Sequence, residues 1–313
     1  MARVLPILLV VVIAGGCGGS PTRPTPTTTP PTRLFSGQIT ETLTGLPVPQ
    51  ASVAAEGLAP VQADAAGAFR FESTSMPTHI VVSAPGYVTR DARVSGTGAI
   101  GIDVIRDEAP FSLGFYRQMV RDGYDAPDAL KPLRRWTRAP SVYLTTIDDA
   151  GAAIDVAQLD SAESALRGVA EMFTGGRFGL AALERGTGTR EGQAGWITVK
   201  WLATNAGNFC ATADVAREGG SINLNYTRGG GCRCGSLAIR PRTVKHETGH
   251  AFGFWHTDNT ADLMSGIGVS GCDADPSARE RHHAAISYSR PVGSLDVDVD
   301  PVGATVQSMR VID

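Results

Sequence analysis

Residues His246 to His256 constrain this chain more tightly than any other stretch, because they read H-E-x-x-H-x-x-G-x-x-H. His246 and His250 are one helical turn apart, so on a helix they share a face, and both imidazoles can reach one ion at about 2.0–2.1 Å. Glu247 follows His246 directly and projects beside that point rather than onto it. A base must stand there to take a proton from a metal-bound water. A continuing helix would carry later residues away from the ion. Gly253 accepts the left-handed conformation that stops the helix and turns the chain, so that His256 can return as a third ligand. Three neutral histidines with one position left open form a catalytic type of site for Zn²⁺, not a closed structural one. Zinc lowers the pKa of a bound water toward about 7, which gives a hydroxide-like nucleophile at neutral pH.

The chain around this stretch has 313 residues, a length that suits two domains. Its net charge of -3, without a basic block, argues against a nucleic-acid partner, since phosphate binding needs clustered Lys and Arg. The 37 glycines and few aromatics point to strands, turns and long loops rather than a helical bundle. No internal apolar run is long enough to span a bilayer.

The first residues read as a delivery segment. Arg3 precedes an apolar run from Val4 to Ile13, then Ala14-Gly15-Gly16-Cys17, as in a secretory signal over 1–16. A Cys directly after small residues resembles a bacterial lipoprotein signal, although Ala14 stands where Leu is commoner. The resemblance implies that Cys17 becomes the lipidated first residue and a membrane anchor. An ordinary cleaved signal with an incidental Cys is the alternative. Residues 17–33, mostly Gly, Ser, Pro and Thr, cannot bury a core and read as an extended linker. The protein is therefore expected to be exported, either lipid-anchored in the cell envelope or extracellular.

Over 34–106, short apolar stretches are split by turn residues, which predicts an all-β antiparallel sandwich. Phe69 and Phe71 alternate about Arg70, as in a half-buried strand. Gly37-Gln38-Ile39, Leu46 to Val53, Asp64 to Phe69 and Ala84-Pro85-Gly86-Tyr87 together resemble the carboxypeptidase regulatory-like domain. That resemblance implies a non-catalytic accessory module.

Over 110–290 the pattern becomes mixed α/β, an α+β arrangement. Phe115 to Val120 reads as a helix, and Trp136 as an anchor of a lead-in segment. Ser141–Ile147, Phe178–Leu183, Trp196–Trp201, Ala211–Val215 and Ile222–Tyr226 read as strands. Asp160 to Phe173 reads as a helix with Leu159, Ala162, Leu166, Val169, Ala170 and Phe173 on one face. A helix opens at Pro241, with Pro tolerated in its first turn, and another follows Asp275 and runs to about Tyr288. Leu295 to Asp300 alternates like an edge strand within the tail 291–313.

The stretch 246–256, with Met264 eight residues beyond His256, resembles the zinc-binding consensus and Met-turn of the metzincin metallopeptidases, with matrixin-like spacing. The resemblance implies Zn²⁺ at His246, His250 and His256, Glu247 as general base and acid, and Met264 as a hydrophobic floor. No Tyr stands two residues after Met264, and no Cys lies in 18–209, so a tyrosine ligand and a cysteine-switch propeptide are both absent. Cys210, Cys232, Cys234 and Cys272 form an even set in an exported chain and predict two disulfides, with a second zinc site as the alternative that the C-x-C spacing and two distant cysteines fit less well. Cys232 and Cys234 seldom pair with each other. The pairings 210–232 with 234–272, and 210–234 with 232–272, both remain open.

These readings predict a zinc-dependent endopeptidase acting on a protein or peptide substrate, with a strand edge near Ala211–Val215 to receive it. Two rivals belong to other classes. One is a cell-surface adhesion or glycan-binding protein with an inactive metzincin-like unit, against which Glu247 speaks. The other is a zinc amidohydrolase acting on a non-peptide amide.

Overall fold

In the computed structural model, which describes residues 32–75, 77–94, 99–203, 209–227, 229–267 and 271–303, the N-terminal strands bury every second side chain. They are β1 (Arg33–Glu41), β2 (Ser52–Ala55), β3 (Val61–Gln62), β4 (Ala68–Ser73), β5 (His79–Ser83), β6 (Arg90–Arg93) and β7 (Ile100–Val104). They form two sheets, in the orders β4-β1-β7 and β3-β2-β5-β6. Phe69 and Phe71 point inward on β4 while Arg70 is exposed, and the two rings stack at 5.9 Å. Ile39, Val53, Ile80, Val82 and Ile102 complete a core between the sheets. This part is an all-β sandwich, as the alternation predicts, but it is not wholly antiparallel as expected: β7 runs parallel to β1, while the other pairings are antiparallel.

The elements that follow are α1 (Leu113–Arg121), β8 (Ser141–Asp148), α2 (Val156–Phe173), β9 (Ala182–Gly186), β10 (Trp196–Trp201), β11 (Ala211–Ala213), β12 (Ser221–Leu224), α3 (Pro241–Ala251) and α4 (Ala278–Tyr288). Their sheet runs β11-β12-β10-β8-β9. All its pairings are parallel except that of the end strand β11, which is antiparallel to β12. The unit is thus α+β with a mixed sheet. Helix α2 buries Leu159, Leu166, Val169 and Phe173 against a second core that shares no residue with the first.

Helix α2 and strand β9 start at residues other than those expected, for local reasons. Helix α2 begins earlier because the Asp155 side chain accepts hydrogen bonds from Ala157 N at 2.8 Å and Gln158 N at 3.4 Å. Strand β9 begins later because Phe178 is tied back to the end of α2 instead of pairing in the sheet. The Thr174 hydroxyl donates to Phe178 O at 2.6 Å and accepts from Phe178 N at 3.2 Å. Phe178 therefore marks core packing against Tyr288, 5.8 Å away, rather than a strand.

Leu295–Asp300 is not a strand. It forms turns, with isolated bridges at Val299. Its alternation is real but inverted: Asp298 and Asp300 are the buried residues, at 1% and 2% exposure. Arg290 donates to Asp298 at 2.5 and 2.8 Å, to Asp103 at 2.6 Å and to the Thr42 hydroxyl at 3.0 Å. Arg90 lies 2.5 Å from Asp298 and 2.9 Å from Asp300. Arg121 donates to Ser294 O, and to Leu295 O at 2.9 Å. The segment is held by buried guanidinium groups from both parts of the chain. Carboxylates can take the inward positions because their charge is paired there.

His283, adjacent to His282, is fully buried rather than solvated. It donates from Nδ1 to Arg279 O at 2.7 Å and accepts from Ser112 N at 3.0 Å, joining α4 to the start of α1. Burial, against the pull of the Arg279 bond, lowers it to about 4, so it is a neutral structural histidine.

Candidate metal centre

Helix α3 has Pro241 at its first position and no side-chain cap. Its opening turn is held by the cysteine framework: Arg240 N donates to Cys232 O at 2.9 Å and Arg242 N to Cys272 O at 3.0 Å. The disulfides are Cys210–Cys232 and Cys234–Cys272, the first of the two pairings left open by the sequence. They tie β11 to the approach to α3, and that approach to the segment beyond Met264. Cys17 and the signal and most of the linker lie outside the described residues.

The helix ends at Ala251, and Gly253 follows at φ +112°. A Cβ there would sit on the carbonyl oxygen of Arg134, and the backbone angle also disfavours any other residue. Trp136 donates from its indole to Ala251 O at 2.7 Å, which anchors the lead-in segment beneath this turn. Phe254 stacks on Phe173 at 5.3 Å, and Trp255 N donates to Met119 O at 2.7 Å. The chain after the turn is therefore pinned to α1 and α2, and it brings His256 back over the helix.

One candidate ligand atom from each of His246, His250 and His256 lies within 4.8 Å of the other two. The Nε2 atoms of His246 and His250 are 3.1 Å apart. Each Nδ1 faces an oxygen: Leu263 O at 2.8 Å for His246, Phe254 O at 2.7 Å for His250 and Asp125 Oδ2 at 2.7 Å for His256. Placing the proton on each Nδ1 satisfies these acceptors and directs three Nε2 lone pairs to a common point. Burial lowers His246 to about 4, partly opposed by its bond to Leu263. Burial, then the charges of His246 and His256, lowers His250 well below its ordinary value. Both are neutral near pH 7, as metal ligands must be. The donor set and its geometry fit a divalent metal ion.

Glu247 is 6% exposed and lines the same cleft as His246 and His256. Its Oε2 is buried with no hydrogen-bond partner, and burial raises the carboxyl to about 8. A cation held by the histidines would draw that value down toward neutrality, where a proton carrier works best.

Met264 is fully buried beneath the helix. A Cβ on Gly249, between the two helical histidines, would sit on Met264 Sδ and 2.8 Å from the Phe173 ring, so only Gly permits this approach. The turn carrying Met264 is fixed by Glu280, whose carboxylate accepts from Leu263 N at 3.0 Å and Met264 N at 2.7 Å. The same carboxylate closes a capping box with Ser277. Glu280 thus holds Leu263, and Leu263 O orients His246.

Sequence reasoning missed Gly249, Glu280 and Asp125. The capping-box spacing from Ser277 to Glu280 was a local signal for one of them. Asp125 has none, because its role depends on a fold contact 131 residues away. Replacing Asp125 with Ala removes the acceptor that orients His256, so metal affinity should fall by about 10- to 100-fold. Competition with a chromophoric chelator measures this. An unchanged affinity would show that Asp125 does not orient the ring.

No family model matches the chain, and no curated protein matches it. Among solved structures, metalloproteinase-II from Bacteroides fragilis is 12% identical, with a TM-score of 0.34 over 81% of this chain and 86% of that one. A protein of unknown function from Bacteroides fragilis, described as membrane-associated, is 20% identical with a TM-score of 0.20. That second likeness covers 29% of this chain and 35% of the other, so the chain spans about a third of that protein's length. Neither likeness is close enough to assign an activity.

Proposed function

We propose that this chain is a zinc-dependent endopeptidase of the metzincin kind. The observation that carries the proposal is the convergence of three oriented imidazoles beside a buried carboxylate with an unpartnered oxygen. His246, His250 and His256 would hold the ion, and Met264 would form the floor beneath it. Zn²⁺ bound there supplies Lewis-acid polarisation of a carbonyl and acidification of water. Glu247 takes a proton from the attacking water and returns it to the leaving amine. Its burial excludes bulk water from the carboxyl, and its raised affinity for a proton suits both halves of that transfer. The end strand β11 borders the cleft through Ala211, so an extended peptide can add to the sheet beside the site.

Residues 34–106 serve as an accessory module, 110–290 as the catalytic domain and 291–313 as a tail. Two disulfides fit an oxidising compartment. Among the described residues no helix is long and apolar enough to cross a membrane. A lipid on Cys17, spaced by the Pro- and Thr-rich linker, would attach the protein to a membrane from outside the cytoplasm.

The zinc-loaded chain should cleave casein or members of a peptide library. A chelator should abolish cleavage, and stoichiometric zinc should restore it. A zinc-loaded, folded chain that cleaves no peptide would overturn the endopeptidase reading.

A further inference from the structure

Of the three converging histidines, His256 is the one that no helix carries. His246 and His250 stand on α3, whereas His256 arrives on the chain that returns after Gly253. Its side chain is 33% exposed, and the Asp125 carboxylate that meets its Nδ1 is 49% exposed. An interaction so open to water is weakened by solvent screening, and one contact at Nδ1 leaves the imidazole able to tilt about that point. A ligand on an irregular segment needs a second restraint if its Nε2 is to stay aimed at the ion.

The backbone beyond His256 is laddered onto the turn that carries Met264. Thr257 N donates to Met264 O at 2.8 Å, and Gly266 N donates to Thr257 O at 2.9 Å. This fixes the main chain but not the ring. The ring meets Tyr124, whose plane stands at 88° to it with centroids 6.4 Å apart. That is an edge-to-face arrangement, within the range at which aromatic pairs attract. Tyr124 also packs on Gly266, which lines the cleft together with His256. A Cβ on Gly266 would fall 2.5 Å from Tyr124 Cε1 and 3.1 Å from His256 Cβ, so the three residues share one tight contact.

Tyr124 is half-buried and belongs to neither hydrophobic core, so filling the interior does not account for its place. It is fixed from α1. Asp122 ends that helix in the left-handed conformation at φ 64°, with its N–H donating to Arg117 O. Ala126 N then donates to Asp122 O at 2.8 Å and closes the turn that carries Tyr124 and Asp125. Two adjacent side chains on one short turn thus face His256, a carboxylate at its Nδ1 and an aromatic ring at its side.

We infer that Tyr124 is a positioning residue for the third metal ligand, clamping the His256 imidazole together with Asp125 from outside the histidine motif. The inference rests on the reading of His256 as a metal ligand and names what keeps that ligand in place. The contacts belong to the tyrosine ring, so the hydroxyl is dispensable for this role. Without the ring, His256 gains freedom to turn away from the ion, while both cores stay intact.

The test uses the full chain and four variants: Tyr124→Phe, Tyr124→Ala, Gly266→Ala, and Tyr124→Ala with Gly266→Ala. Each is stripped of metal and titrated with zinc against a chromophoric chelator, and the metal-free chains are melted in parallel. Tyr124→Ala should weaken zinc binding about 10-fold with little change in the metal-free melting temperature, and Tyr124→Phe should keep the wild-type affinity. Gly266→Ala should also weaken binding, because its Cβ displaces the tyrosine ring. Its further effect should shrink to about threefold or less in the Tyr124→Ala background, where that Cβ has room. Visible absorption of the cobalt-substituted chain reports ligand geometry. It should change in Tyr124→Ala and match the wild type in Tyr124→Phe. Unchanged zinc affinity in Tyr124→Ala, or a loss matched by an equal loss of metal-free stability, would overturn the inference. Tyr124→Phe as damaging as Tyr124→Ala would do the same, since it would move the role to the hydroxyl. A wild-type chain that takes up no zinc would sink the metal-ligand reading itself, whereas zinc uptake indifferent to Tyr124 would sink only the clamp.

Discussion

Glu247→Ala is expected to lower kcat/KM for peptide hydrolysis by about 10²- to 10⁴-fold while leaving the chain folded and its metal bound. The carboxyl stands beside the three histidines without being one of the converging ligands, so its loss removes a proton carrier and not a metal bond. Stability should not suffer, since Oε2 has no hydrogen-bond partner to strand. The metal-free chain gives a further sign. Burial raises the Glu247 carboxyl from 4.5 to about 8, so the folded state holds a proton that the unfolded state releases first. Its contribution is complete below pH 4.5 and is lost as pH rises toward about 8. Glu247→Ala should flatten that part of the stability profile of the metal-free protein, as followed by thermal melting. Equal loss of metal and activity in the variant would instead mean that Glu247 supports the site structurally.

The second large effect concerns the tail. Arg290→Ala should destabilise the chain by about 3–5 kcal/mol, because it strands carboxylates in a buried position. Arg290 is fully buried against Asp298, Asp103 and Thr42. Burial would lower its pKa, but Asp103 and Asp298 outweigh burial and raise it. Asp103 shows the counterpart. Burial pushes its carboxyl up, yet Arg290 and Arg90 leave it lowered from 3.8 to about 2. That contribution is present above pH 3.8 and is lost as pH falls toward about 2. Denaturant unfolding should show the loss in the Arg290 variant, together with faster proteolysis near 294–300. A midpoint shift worth under about 1 kcal/mol would place this cluster among ion pairs of surface strength.

The contrast between these two regions shows what the sequence could reveal. The His246–His256 stretch is legible because its geometry is local: a helical turn brings two side chains together, and one glycine forces the return of the third. The alternating strands of the sandwich are legible for a similar reason, since inward positions there are apolar. Leu295–Asp300 breaks that rule. Period-two alternation tells which residues share a face but not whether that face meets oil or buried arginine, and Arg90 is about two hundred residues distant. Asp125 and Gly249 were hidden for the same physical cause. One acts through a loop that the fold carries to His256, and the other through the depth at which Met264 lies under α3. The disulfide pairing also waited on the fold, since both cross-pairings join the same four segments and differ only in which sulfur faces which.

Whether His246, His250 and His256 hold one metal ion is tested most directly by the zinc content of the purified chain, measured by elemental analysis after dialysis, for the wild type and for His250→Ala. The geometry predicts one zinc per chain in the wild type and little or none in the variant. Less than a tenth of an equivalent in the folded wild type (roughly a background level for a site of this type), or full occupancy that survives His250→Ala, would contradict it.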